Sequence, residues 1–317
     1  MARPAEGIAA VAVPVPVGGA TGPAHDRLHR ADHQGDVPAA AGTEGETPGD
    51  PMTERPDGVH HGIHTTDDGL FGPDSVSWRA MSRPATAIGA STAAMVQMLY
   101  PPVMYVVDQT SSFQQRPDLR AKRTAEYATT ITFGDVETAE AAGESLRKIH
   151  ARCVASHPDT GERLAADDPA SLVWVNNALT WSLLRAWSLF GPELSAADRD
   201  RFVAEQKISA RLVGADPDAV PSTVGELEEC MTAMEPKLAM TAPCRWFKEI
   251  MVAPDDGTIR AKVGKRVMTE AMVATMGEHH RELWGFSTGP FGRRIAVAST
   301  RALLGSVAAK LPLDDAV

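Results

Sequence analysis

A chain of 317 residues with 43% hydrophobic side chains has the material for one sizeable core, and a formal net charge of −10 excludes the basic surface that a nucleic-acid partner requires. The same charge argues against adhesion to an anionic membrane, and no run approaches the ~18 consecutive apolar residues of a spanning helix. Cys153, Cys230 and Cys244 lack the spacing of a disulfide framework or a zinc site, so they read as reduced, mostly buried thiols in a cytoplasmic setting.

Residues 1–66 contain no Phe, Tyr or Trp and are rich in Gly, Pro, Ala and His. Such a segment buries too little apolar surface to offset its ordering entropy, and a disordered or loosely docked arm is expected. The apolar run Ile8 to Val17 is broken by Pro14 and Pro16 and preceded only by Arg3, a poor export signal. His60, His61 and His64 lie close together, but no second ligand cluster accompanies them. Residues 67–317 are expected to form one helical domain.

Trp78, Met81, Ile88, Met95 and Leu99 predict one or two early amphipathic helices, punctuated by Tyr100-Pro101-Pro102. An apolar stretch from Val103 to Val107 leads into an expected polar loop at Asp108 to Gln115. Pro117 to Phe133 reads as a helix with proline in its first turn and Gly134 as its stop. The next helix is capped by Asp135 or Thr138, buries a stripe of Ala139, Ala142, Leu146, Ile149 and Cys153, and ends at His157-Pro158. Asp168-Pro169 starts a long helix to about Phe190. Ser195 caps another that runs to Gly214, and a capping-box-like Ser222…Glu226 opens a third that runs to Glu235. Pro236 and Pro243 bracket short pieces. Further helices are expected over Ile259 to Leu283 and Arg293 to Leu311. The sum is an all-α, multi-helix bundle of roughly eight to ten helices.

Three places carry candidate chemistry. Arg120 and Thr124 share a helix face with Arg123 adjacent. They are either a solvated basic face or a pair able to hold a carboxylate or stabilise bound oxygen in an apolar pocket. His150 falls at the edge of the buried stripe. It is either a satisfied boundary residue or a neutral imidazole suited to iron. Asn176 shares a face with Leu172, Leu179 and Leu183, so its amide needs a partner in a loop or a ligand. His279-His280 and Met231, Met234 and Met240 read more simply as structure. No nucleophile elbow, P-loop, GxGxxG after a strand, HExxH or EF-hand loop is present.

In order along the chain come Phe71-Gly72-Pro73, Pro101-Pro102 with Ser111-Ser112-Phe113, Arg120-xxx-Thr124, Phe133-Gly134, Ile149-His150 and Trp174-Val175-Asn176. Over roughly residues 70 to 290 these segments resemble the rubber-oxygenase/mpaB-type oxygenase family, which includes latex-clearing proteins. The resemblance implies an all-helical fold with a globin-like core around haem b. Its iron would be held by His150, with Arg120, Arg123 and Thr124 in the catalytic surroundings and Asn176 near the cofactor. It implies an oxygenase that uses dioxygen on an apolar substrate, typically cleaving a carbon–carbon double bond. Two positions depart from the family pattern. Pro101 stands where His-Pro is common, and Asn176 stands where Trp-Val-His is common. Asp108 is the nearest candidate for the carboxylate base of the rubber-cleaving members. A small pathway substrate is therefore expected rather than a polymer. The other readings are a haem hydroxylase or peroxygenase, and a helical protein that binds haem or an apolar ligand without turnover.

Overall fold

The computed structural model describes residues 59–60, 63–255, 257–287 and 289–308. Most of the expected arm, including the side chains of His60, His61 and His64, therefore lies outside the described residues. Among the described residues there are twelve α-helices and two small antiparallel hairpins. The hairpins are β1 (Val59–His60) with β2 (Ile63–His64), and β3 (Val154–Ser156) with β4 (Arg163–Ala165). The helices are α1 (Val76–Met81), α2 (Ala85–Gln97), α3 (Pro101–Thr110), α4 (Pro117–Phe133), α5 (Val136–His150) and α6 (Pro169–Phe190). They continue with α7 (Ala196–Val213), α8 (Val224–Met234), α9 (Cys244–Val252), α10 (Ile259–Thr275), α11 (Glu278–Trp284) and α12 (Pro290–Ala308).

The central pair is α2 and α6, which make the most extensive contact of any two helices. Both are apolar on nearly every side, as buried helices are. Gly89 lets them close up: a Cβ there would sit 2.8 Å from the Leu183 Cα. Two bonds lock the register. Gln97 Nε2 donates to the Val175 carbonyl at 2.9 Å, and Trp174 Nε1 donates to the Gln97 carbonyl at 3.1 Å.

Helix starts follow the expected capping chemistry. Asp135, Asp168 and Ser195 each accept the backbone N–H three residues on. For α8 the cap is Thr223 rather than Ser222, and Glu226 reaches back to accept the Ser222 N–H at 2.7 Å. Thr66 Oγ1 donates to Asp135 and the Val136 N–H donates to Asp67, so residues 66 and 67 are docked on the start of α5.

Three elements differ from expectation. Pro101-Pro102 opens α3 instead of breaking a helix, because proline fits the first turn, and Asp108 to Thr110 continue that helix. The indole of Trp246 holds Asp108 there at 2.8 Å. α5 ends at His150, and the chain returns through the β3–β4 hairpin, which pairs Val154 with Ala165. The span Ile259 to Leu283 is two helices, split at Met276-Gly277. The final carbonyls of α10 are satisfied by arginines: Arg293 on Ala274, Arg185 on Thr275 and Arg281 on Met276, at 2.7–2.9 Å.

Among the described residues, no helix is long and apolar enough to cross a membrane. None of the three cysteines forms a disulfide; Cys153 and Cys244 are buried and Cys230 is half-buried.

Candidate functional site

The site begins with how α5 is held. Its buried residues are Ala139, Gly143, Leu146 and His150, at spacings of four, three and four. The helix is thus rotated slightly from the predicted stripe, and His150 lies on the buried face rather than at its edge. Gly143 packs against the end of α7, where a Cβ would come within 2.9 Å of the Leu212 carbonyl oxygen. Arg147 Nη1 donates to that same oxygen at 2.7 Å. These two contacts fix the last turn of α5, and with it the histidine.

His150 faces an apolar cavity. Val103, Val106 and Val107 of α3 and Leu172, Val175 and Leu179 of α6 form two of its walls. Tyr127, Ala128 and Ile131 of α4, Ser209 and Val213 of α7, and Ala165-Ala166 at the end of the hairpin close it.

Of the five polar side chains in this wall, Ser209 donates to Gln206 at 3.4 Å and the other four carry unsatisfied atoms. His150 is 5% exposed, and neither ring nitrogen has a hydrogen-bond partner among the described residues. The Tyr127 hydroxyl, Ser171 Oγ and Asn176 Nδ2 are in the same condition. Buried polar atoms are nearly always bonded, so four such side chains around one cavity mark a place for a ligand. Burial, aided by the Arg120 guanidinium and opposed by Asp167, pushes the His150 pKa from 6.5 down to about 4. The imidazole is therefore neutral at pH 7, with a lone pair available. Burial also raises the Tyr127 phenol, which stays protonated.

Of the residues singled out in the sequence, His150 and Asn176 meet at the cavity. Arg120 sits behind it. Its Nη1 donates to Ser111 Oγ at 2.7 Å, and its guanidinium carbon lies 5.6 Å from the Phe113 ring centre. It is 5% exposed, and burial lowers its pKa to about 10. Thr124 is buried on the same face of α4 and Arg123 is half-buried, but none of the three lines the cavity. That part of the wall comes from Tyr127, Ala128 and Ile131. Asp108 is exposed and engaged by Trp246. Tyr127 and Ser171 were missed in the sequence. Tyr127 was detectable, since it follows Thr124 by three positions and Arg120 by seven on one helix face.

Among the described residues no three His, Cys, Asp or Glu side chains gather as a metal site. The fold and the cavity define an all-helical protein with a lone neutral histidine facing an apolar chamber. The family model described as ER-bound oxygenase mpaB/B'/Rubber oxygenase, catalytic domain, matches residues 78–309, and the chain belongs to that oxygenase family. No curated protein and no solved structure matches it.

Proposed function

We propose that the chain is a haem-dependent oxygenase in which His150 holds the iron of haem b and the cavity also receives a small apolar substrate. One observation carries the reading: both His150 ring nitrogens are buried without partners in the wall of an apolar chamber. A single imidazole supplies only one of the ligands an iron needs, so it suits a metal whose other ligands come from a macrocycle. Bound there, haem supplies the activation of dioxygen for oxidation, including oxidative cleavage, of an apolar substrate.

The remaining contributions belong to the chain. Its low pKa keeps His150 unprotonated, so no proton competes for the ligating nitrogen near neutral pH. The aliphatic walls from α3 and α6 exclude water and accept a hydrocarbon framework. Tyr127 and Ser171 offer hydroxyl donors, and Asn176 an amide donor, to polar edges of what is bound. Arg120 places a cation beside the histidine and disfavours its protonation.

The test is the absorption spectrum of the purified protein, oxidised and dithionite-reduced, with iron quantified on the same sample. A Soret band with about one iron per chain, shifting on reduction, is expected. A colourless protein that also fails to acquire a Soret band when titrated with hemin would overturn the reading.

A further inference from the structure

We propose that the outward face of α10 and α12 is a peripheral docking surface for an anionic phospholipid bilayer. Among the described residues, the four most exposed large hydrophobic side chains are all on these two helices. They are Ile259 (83%), Phe291 (76%), Val263 (55%) and Ile295 (52%). Each helix presents its pair one turn apart, on one face. On α12 the stripe continues through the exposed Ala298 and Ala302.

The charges carried by the two helices themselves reverse the sign of the chain, with Asp255 and Asp256 just before α10 as the nearby acidic exceptions. The whole sequence carries −10, yet α10 and α12 hold seven basic residues and one acidic residue, Glu270. That glutamate is already paired with Arg266 at 3.0 Å. Arg260, Lys262 and Arg266 flank Ile259 and Val263 in an exposed belt, and Arg294 and Arg301 flank the α12 stripe. The expectation drawn from total charge therefore does not apply to this end of the molecule.

The two helices lie side by side with opposite direction. Arg293, near the start of α12, donates to Ala274 at the end of α10, and Arg301, further on, donates to Leu189 at the end of α6. The pair is anchored to the bundle by the Arg301 bond and by Met268 and Leu304 packed with Ile88 and Ala186. The apolar side chains that face outward are thus left over once the helices are held.

The mixture selects the partner. Apolar side chains interleaved with Arg and Lys suit the headgroup–acyl boundary, where the hydrocarbon enters and long basic side chains reach back to phosphates. A surface of anionic lipid attracts the belt, most strongly at low salt. A second copy is the poorer fit, because a two-fold contact would bring the same basic residues face to face.

The proposal is independent of the haem reading and is tested without it. Full-length protein is sedimented with vesicles of phosphatidylcholine alone and of phosphatidylcholine containing phosphatidylglycerol. Binding to the anionic vesicles is expected, at least about tenfold above the neutral ones, falling steeply as salt rises. The doubly substituted Phe291→Ser/Ile295→Ser and Lys262→Glu/Arg294→Glu proteins are each expected to lose about tenfold in binding, with unchanged melting curves, because all four positions are exposed. Three results would overturn it: no sedimentation with anionic vesicles, undiminished binding of both folded variants, or a solution dimer that the Phe291/Ile295 change dissolves.

Discussion

His150 and His280 are nearly the same residue by local measures. They are 5% and 3% exposed, both ring nitrogens of each lack partners among the described residues, and burial lowers both to about 4. Their surroundings differ. His280 is packed: its ring centre is 5.2 Å from that of Trp181, and a Cβ on Gly277 would lie 2.9 Å from its Nδ1. The Trp181 indole is itself bonded to Glu228 and covered by the Arg185 guanidinium. His150 instead lines the wall of an apolar cavity. Burial and missing partners are therefore insufficient evidence for a ligand; adjoining space is the discriminating property.

The sharpest way to break this comparison is to remove each ring. His150→Ala is expected to abolish haem retention almost completely, by more than the ~10–100-fold typical of losing an outer partner. His280→Ala should leave hemin affinity within about twofold while lowering stability by about 1–3 kcal/mol, because it opens a hole between Trp181 and Gly277. Hemin titrations followed at the Soret band, with melts of the same samples, measure both. Equal haem loss in the two variants would erase the distinction.

A second prediction uses what the two rings share. Their folded pKa values lie below the 6.5 of the unfolded chain, so the unfolded state binds protons that the folded state refuses. Each contribution is fully present above about pH 6.5, declines as pH falls, and levels off below about pH 4. The drop is about 3 kcal/mol per ring for the haem-free protein. The groups that set this are Arg120 and Asp167 around His150, and His279, Arg185 and Arg281 around His280. His280→Gln should remove about half of the acid-side fall, read from denaturant midpoints between pH 7 and 4. Added hemin should protect only the His150 share, and an unchanged slope in His280→Gln would show that this imidazole titrates alike in the folded and unfolded chain.

The difference between the rings was not legible in the sequence, although much of the frame was. Pro117 to Phe133, Pro169 to Phe190 and Ala196 to Val213 could be read from caps, prolines and period, because those signals are local. The break at Met276-Gly277 could not, since three arginines from α6, α11 and α12 satisfy the freed carbonyls. Nor could the hairpin after His150, whose pairing rests on residues separated by the turn around Gly161. Within the site, His150 and Asn176 lie on faces that periodicity identifies. The cavity has no local signature, because five helices and a strand contribute its wall. That is why Arg120 and Thr124 were expected at the pocket and Tyr127, one turn away, was not.

The smallest expected effect bears on whether the cavity's polar atoms are truly waiting for a ligand. The Tyr127 hydroxyl is buried and unpartnered among the described residues, and burial holds the phenol well above its ordinary pKa. Leaving such a group unbonded costs about 1–3 kcal/mol in the empty fold. Tyr127→Phe keeps the ring and deletes only the oxygen, so the haem-free protein should become more stable by about 1 kcal/mol. If the hydroxyl is bonded once the chamber is filled, the same change should cost about 0.5–1.5 kcal/mol in the loaded protein, reversing sign. Paired melts with and without hemin read that reversal. A loss of stability already in the haem-free protein would mean that the phenol has a partner there, and the cavity's unsatisfied set would shrink to His150, Ser171 and Asn176.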